Sequence, residues 1–225
     1  MKIIYIGQAG LYIQLAGLHI LVDPYLSDSC AAQNPALHRR VPVAPFVWDI
    51  RPDVIICTHD HGDHLDMETL PKYITENTHV TVLTPSQGWA KVRTLGGANN
   101  YVQFNKYTEW TEGEVRFTAV GAVHSDPTAI GVVIEGDGKR LYITGDTLYS
   151  KEVLADIRGQ FDGVFLPVNG VGNNMNMADA ARFAAQIDTK WVVPFHVGLF
   201  DNKDAHAFAA PNKIVPEYFK EIILP

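Results

Sequence analysis

The sequence predicts a mixed α/β fold, because short apolar segments of strand character alternate with segments of helical spacing. Residues 54–57 form a continuous apolar run, and residues 115–120 alternate apolar and polar side chains, which is typical of strands. Residues 177–187 repeat apolar side chains every three or four positions, which is the period of an α-helix. Asp137-Gly138 predicts a hairpin turn between two further strands.

The other elements follow in chain order. Strands are predicted over residues 3–6, 11–16, 19–22, 54–57, 80–83, 101–104, 115–120, 130–135, 139–144, 163–168 and 191–195. Helices are predicted over residues 65–74, 85–94, 150–160, 177–187 and 214–222. With 225 residues and 47% hydrophobic content, the chain can bury one substantial core. We therefore expect a single domain over residues 1–225.

A histidine-rich motif directly follows the apolar run 54–57. Residues 59–64 read His-Asp-His-Gly-Asp-His, and three imidazoles with two carboxylates in six positions indicate a metal site. Gly62 is expected to provide the sharp turn that lets these side chains converge. A solvated histidine-rich loop is the alternative, but such a loop would not need a buried strand before it and a helical segment after it.

Further candidate ligands stand at the ends of other predicted strands: His124, Asp146 and His196. In sheets covered by helices, strand ends are where sites are assembled from residues far apart in sequence. Taken alone, His124 or His196 would more often be a core histidine, but the cluster at 59–64 favours ligand roles for both. Asn169 also follows a predicted strand, and its amide is expected to hold a substrate oxygen.

These residues together resemble the metallo-β-lactamase superfamily in its two-metal hydrolase form. The resemblance rests on Thr-His-Asp-His-Gly-Asp-His at 58–64, the lone His124, Gly-Asp-Thr at 145–147 and Pro-Phe-His at 194–196. It covers nearly the whole chain and implies a four-layer αβ/βα sandwich. Within it, residues 7–10, 21–29 and 41–45 resemble the branch that contains L-ascorbate-6-phosphate lactonase.

The resemblance implies two divalent metal ions, manganese or zinc, with iron also possible. One ion would be held by His59, His61 and His124, the other by Asp63, His64 and His196, and Asp146 would bridge them. The residue chemistry agrees, because a carboxylate has two oxygens and can join two cations. A structural zinc site would instead be closed and usually cysteine-rich, and this chain has only two cysteines.

This ligand set predicts a binuclear metal-dependent hydrolase in which a metal-bridging hydroxide attacks a carbonyl carbon or a phosphorus. Asp63 and Asp146 are the predicted catalytic residues: Asp63 would orient the nucleophile and carry a proton to the leaving group, and Asp146 would hold both metals. The branch resemblance points to a lactone or ester of a small anionic, sugar-phosphate-like substrate.

Residues 28–53 form a long stretch without clear periodicity, which in a compact domain is usually functional or disordered. Arg39 and Arg40 lie in it, and we expect them to bind the anionic substrate from a lid over the metals. A solvated arginine face is the alternative. Asn173 and Asn174 are expected only to satisfy turn geometry, and Asp60 is expected to point away from the metals.

Charge and composition limit the other functions. With Lys+Arg 18 against Asp+Glu 25, no basic excess suggests a polynucleotide substrate, although a small-molecule or nucleotide phosphodiesterase stays the main alternative. An iron-dependent oxidoreductase and a noncatalytic metal-binding module are less favoured, since the ligand pattern is intact. No signal-peptide pattern or membrane-length run is seen, and with two cysteines the expected location is the cytoplasm.

Overall fold

The computed structural model describes all 225 residues and contains two six-stranded sheets. The first sheet runs, in spatial order, through β1 (Lys2–Gly7), β2 (Gly10–Leu15), β3 (Leu18–Val22), β4 (Val54–Ile56), β5 (Thr81–Thr84) and β6 (Asn100–Gln103). The second runs through β7 (Glu109–Glu112), β8 (Val115–Gly121), β9 (Ile130–Gly136), β10 (Lys139–Ile143), β11 (Gly163–Pro167) and β12 (Val192–Phe195). Strand β7 is the one the sequence did not predict, and none of its four residues is buried.

Both sheets mix strand directions. Strands β1 to β3 pair antiparallel and β3 to β6 parallel. Strands β7 to β10 pair antiparallel and β10 to β12 parallel. The carboxyl ends of β1, β3 and β4 therefore lie at one edge of the first sheet, and those of β8, β10, β11 and β12 at one edge of the second. Loops from these two edges meet.

The helices lie outside the sheets. They are α1 (Ser29–Gln33), α2 (Ser86–Val92), α3 (Lys151–Asp156) and α4 (Met177–Ala184), with short 3-10 helices at Pro35–Leu37, Pro45–Asp49, Leu70–Lys72, Arg93–Leu95 and Ala205–Ala207. Helix α2 packs on the first sheet, and α3 and α4 pack on the second. None of the helices has the length and apolar character that crossing a membrane requires.

Three large hydrophobic clusters match these layers. Twenty-four buried residues contributed by both sheets form the central core. Sixteen more lie on the outer face of the first sheet and sixteen on the outer face of the second. In α4, Ala180, Phe183 and Ala184 are buried against the second sheet, as its helical spacing predicts. The predicted four-layer sandwich is confirmed.

Two predicted helices are wrong. Residues 65–74 form turns and one short 3-10 helix, because Asp66 accepts hydrogen bonds from Glu68 N and Thr69 Oγ1, and such local acceptors compete with helix formation. Residues 214–222 run beside β1 without forming a helix, and residues 218–220 make a turn. Phe219 N donates to Tyr5 O and Ile222 N to Ile3 O, both at 2.7 Å.

The hairpin between β9 and β10 is confirmed. Gly136 pairs with Lys139, which leaves a two-residue turn at Asp137 (φ 49°) and Gly138 (φ 65°). Positive φ at both positions is what the favoured hairpin turn requires, and Asp-Gly tolerates it well. This turn fixes the register of β10, and Asp146 follows that strand.

Candidate metal centre

All seven predicted ligand side chains meet where the loops of the two sheets converge. In a first group, His59 Nε2 lies 3.0 Å from His61 Nδ1, and His124 Nε2 lies 3.1 Å from that same atom. In a second group, His64 Nε2 and His196 Nε2 are 3.1 Å apart. Asp63 Oδ2 lies 3.3 Å from His196 Nε2. Each group offers three donor atoms within 4.8 Å of one another.

Asp146 lies between the two groups. Its Oδ2 is 3.2 Å from His196 Nε2 and 4.0 Å from His124 Nε2, and its Oδ1 is 3.4 Å from His64 Nε2. Oδ1 is buried and has no hydrogen-bond partner, which is costly for a carboxylate oxygen. Imidazole nitrogens and carboxylate oxygens that point at one another in this way fit a divalent cation between them.

The backbone at two ligands is in the left-handed region. Gly145, just before Asp146, has φ 59°, and a Cβ on it would lie 2.6 Å from Ile130 O; only glycine fits there. His196 itself has φ 57°, and its N–H donates to Gln8 O at 2.7 Å. Gly62 does not have a positive φ, and a Cβ there would make only an ordinary 3.5 Å contact with Cys30 Sγ. Gly62 does lie in the turn of the histidine motif, as expected, since His64 N and Leu65 N donate to His61 O, but that turn does not require glycine.

Asp23 is a supporting residue that the sequence pattern does not indicate. It follows β3, is completely buried, and accepts hydrogen bonds from Thr58 N and Thr58 Oγ1, both at 2.7 Å. Its Oδ2 also lies 2.8 Å from His64 Nδ1. A carboxylate on the far nitrogen of a histidine fixes the ring and its tautomer, so that Nε2 is free to bind a metal.

Two amides support the carboxylates. Gln8, which follows β1, donates from Nε2 to Asp63 Oδ2 at 2.7 Å, and Asn174 donates from Nδ2 to Asp146 Oδ2 at 2.7 Å. The expectation that Asn174 serves only turn geometry is therefore wrong, although Asn173 does have a turn conformation, with φ 64°. Gln8 and Asp23 both stand at strand ends, the same signal that pointed to His124 and His196.

The remaining predicted site residues are placed as follows. Asp60 forms an ion pair with Lys91, 2.8 Å between Oδ1 and Nζ, and is in none of the ligand groups, as expected. Asn169 lines the pocket above the cluster, but its amide nitrogen lies 2.9 Å from His196 Nδ1. In the structure the side-chain amide of Asn169 therefore contacts a candidate ligand histidine.

The expectation that Arg39 binds substrate is wrong. Arg39 is 8% exposed, and its guanidinium donates to three backbone carbonyls, those of Tyr25 (2.7 Å), Val41 (2.9 Å) and Ile6 (3.2 Å). Its side chain holds the irregular segment against β1. Arg40 is exposed and donates to the side chain of Asn202. Neither arginine lines the pocket.

The charges of the cluster shift its protonation. Burial by itself would lower the pKa of His196, but Asp146 and Asp63 raise it to about 9. Burial likewise opposes the ionised form of Asp146, yet the imidazoles of His196 and His64 hold its pKa well below the usual range. Without a cation, protons occupy the basic nitrogens, so a metal must compete with protons here.

Comparison with known proteins agrees with this geometry. Residues 19–197 match the family described as Beta-lactamase superfamily domain. A UPF0173 metal-dependent hydrolase of Bacillus pumilus is 31% identical over 230 residues, covering 93% of this chain and 92% of the relative. One from Ligilactobacillus salivarius is 33% identical over 232 residues, covering 98% and 95%.

The same fold occurs in a solved structure. A metallo hydrolase from the archaeon Ignicoccus hospitalis superposes with a TM-score of 0.77 at 19% identity, covering 98% of this chain and 97% of that one. The solved structure shows only a shared fold. The family match over most of the chain and the relatives above 30% identity also show which family the chain belongs to. The chain belongs to the β-lactamase superfamily and, within it, to the UPF0173 metal-dependent hydrolases.

Proposed function

We propose that this chain is a binuclear metal-dependent hydrolase that cleaves an ester or lactone bond of a small anionic substrate. The observation that carries the proposal is Asp146, a buried carboxylate between two groups of three ligands, with one oxygen that has no hydrogen-bond partner. A single closed site would use about four donors. Seven converging donors favour two ions.

In this proposal one ion is held by His59, His61 and His124, the other by Asp63, His64 and His196, and Asp146 contributes to both. The donor set suits manganese or zinc, and also iron. Two such cations would activate a water molecule as the nucleophile and polarise the bond that is attacked.

Around that chemistry, this chain's own residues orient groups and move a proton. Asp63 faces the pocket and is held by Gln8 Nε2, so it is placed to take a proton from the nucleophile and give it to the leaving group. Asn174 and Asp23 fix Asp146 and His64. Lys203 lines the pocket and offers the positive charge for an anionic group. The resemblance to the lactonase branch supports an ester or lactone.

The test uses protein stripped of metal and reloaded separately with manganese, zinc and iron. Each form is assayed with lactones and carboxylic esters, with phosphodiesters and with acyl thioesters. We expect hydrolysis of lactones or esters and about two metal equivalents per chain. Hydrolysis confined to phosphodiesters would overturn the proposed substrate class.

A matched pair of histidine variants separates the metal centre from general effects. His61→Ala removes a proposed ligand, and His79→Ala removes an exposed histidine outside the ligand groups. Elemental analysis should show metal loss in the first variant only, together with loss of hydrolysis. Full metal occupancy in His61→Ala would contradict the ligand assignment.

A further inference from the structure

The pocket above the metal centre has a composition that restricts its substrate. It is a cavity of about 510 Å³, within the usual range for small-molecule sites. Its floor contains the candidate ligands His61, Asp63, Asp146 and His196, and its walls come from residues 36–37, 169–174 and 197–203. These walls, together with the floor, decide which substrates fit.

Apolar side chains form a substantial part of the walls. Leu37 and Phe200 pack against a small buried cluster that contains Tyr25 and Leu199, and the Phe200 ring lies edge-on to Tyr25 at 5.5 Å between centroids. Packing therefore fixes these two side chains in place. They give the pocket a rigid apolar side.

Val171 completes the apolar lining from the opposite loop. It is 58% exposed and belongs to none of the hydrophobic clusters of the fold. Gly170 and Gly172, each with φ 67°, flank it, so the chain turns sharply on both sides. An apolar side chain held at the rim of a pocket gains favourable burial when an apolar ligand covers it.

Positive charge in the pocket is limited to one residue. Lys203 is the single lysine or arginine in its lining. Its Nζ donates to Asn169 O and lies 3.9 Å from Asp201 Oδ2, so its charge is already partly compensated. No guanidinium lines the pocket to form paired hydrogen bonds with a phosphate dianion.

From these walls and this charge we infer that the substrate is an ester or lactone that carries an apolar alkyl or aryl group and a single carboxylate. The apolar group lies against Leu37, Val171 and Phe200, and the carboxylate faces Lys203. This inference rests on the proposed hydrolase function. It restricts the substrate class by excluding phosphorylated, polyhydroxylated compounds.

The kinetic test compares two half-esters, benzyl hydrogen succinate and methyl hydrogen succinate, with the metal-loaded protein. The two share charge and acyl group, and their alkoxide leaving groups are similar, so they differ chiefly in apolar surface. We expect kcat/KM to favour the benzyl ester by roughly tenfold or more. Both should be preferred over a phosphorylated gluconolactone. A preference for the phosphorylated lactone, or equal rates for the two half-esters, would overturn the inference.

Val171→Ser tests the apolar wall, and Ile223→Ser is its control, because Ile223 is 63% exposed and lies outside this pocket. Val171→Ser should lower the benzyl-to-methyl ratio by roughly threefold or more, whereas Ile223→Ser should keep the parent ratio. An unchanged ratio in Val171→Ser would show that Val171 does not contact the apolar group of the substrate and would contradict the inference.

Binding by calorimetry decides the question independently of turnover. The manganese-loaded protein should bind 4-phenylbutyrate more tightly than butyrate or 6-phosphogluconate, and Lys203→Gln should weaken 4-phenylbutyrate by roughly tenfold. Tighter binding of 4-phenylbutyrate without any hydrolysis would refute the proposed function but support the ligand preference inferred for the pocket. Hydrolysis together with tightest binding of 6-phosphogluconate would support the proposed function and refute that ligand preference.

Discussion

Replacing Asp23 with Asn should weaken metal binding although Asp23 is not in any ligand group. In the folded protein its Oδ1 accepts from Thr58 N, and its Oδ2 faces both Thr58 Oγ1 and His64 Nδ1. An asparagine can keep the first of these bonds. At the Oδ2 position it would present an N–H to His64, which must carry its own proton on Nδ1 when Nε2 binds a metal.

The magnitude follows from the bonds that are lost. Two hydrogen bonds to a charged acceptor, at ~1.5–3 kcal/mol each, would lower the free energy of unfolding by ~3–6 kcal/mol. Metal affinity should fall by roughly 10–100-fold, the usual cost of losing such a partner. Both effects have one origin, because the same carboxylate joins β3, the loop after β4 and a ligand.

The measurement is calorimetric titration of the metal-free protein with manganese or zinc, with thermal unfolding by circular dichroism on the same samples. Asp53→Asn is the matched control. Asp53 precedes β4, is exposed and accepts from His19 N at 2.8 Å, and asparagine can keep that bond. Asp23→Asn with the affinity of the parent would show that His64 needs no carboxylate partner, and this reasoning would fail.

Four further predictions concern the cluster and the arginines. Asp146→Ala should abolish hydrolysis and lower metal content measured by elemental analysis; full occupancy would refute its shared role. Because the pKa of His196 is raised to about 9 in the metal-free protein, metal affinity should increase from pH 6 to about pH 9, with proton release on binding; a pH-independent affinity would refute this competition. By the same shift, His196 stabilises the metal-free fold fully below its unfolded pKa of about 6.5, and that contribution is lost as the pH rises through about 9. Arg39→Ala should lower the free energy of unfolding by ~2–4 kcal/mol, since three backbone carbonyls lose their donor, whereas Arg40→Ala should melt close to the parent; the opposite order would contradict the structural role of Arg39.

Much of the fold could be predicted because local pattern and tertiary structure agree along most strands. The failures have a tertiary cause. Residues 214–222 have apolar positions at near-helical spacing, but their backbone groups bond to β1, and Pro216 cannot donate within a helix. Because β1 is more than 200 residues away in the chain, its pairing with this segment cannot be predicted from the local sequence pattern.

Within the site, the sequence identified the residue types that are rare outside metal centres and missed the common ones. Histidines at strand ends stand out, whereas Asp23 and Asn174 belong to residue types that usually form turns. For Arg39 the sequence predicted a functional role where the structure shows a structural one. A charged side chain predicts exposure, yet here its guanidinium satisfies buried carbonyls, which only the packing of residues 28–53 against β1 could reveal.

The separation of the ligands between the two sheets has a consequence for how the protein matures. His59 to His64 follow β4 in the first sheet, but His124, Asp146 and His196 follow strands of the second. During synthesis the histidine motif leaves the ribosome well before its partners: the first group lacks His124 until the chain has passed β8, and the second lacks His196 until it has passed β12. A metal that binds only the finished arrangement then adds to the free energy of unfolding, by about 2.7 kcal/mol when present at 100 times its Kd. Completion of the whole metal centre is therefore a late event of folding, and bound metal should slow the separation of one sheet from the other.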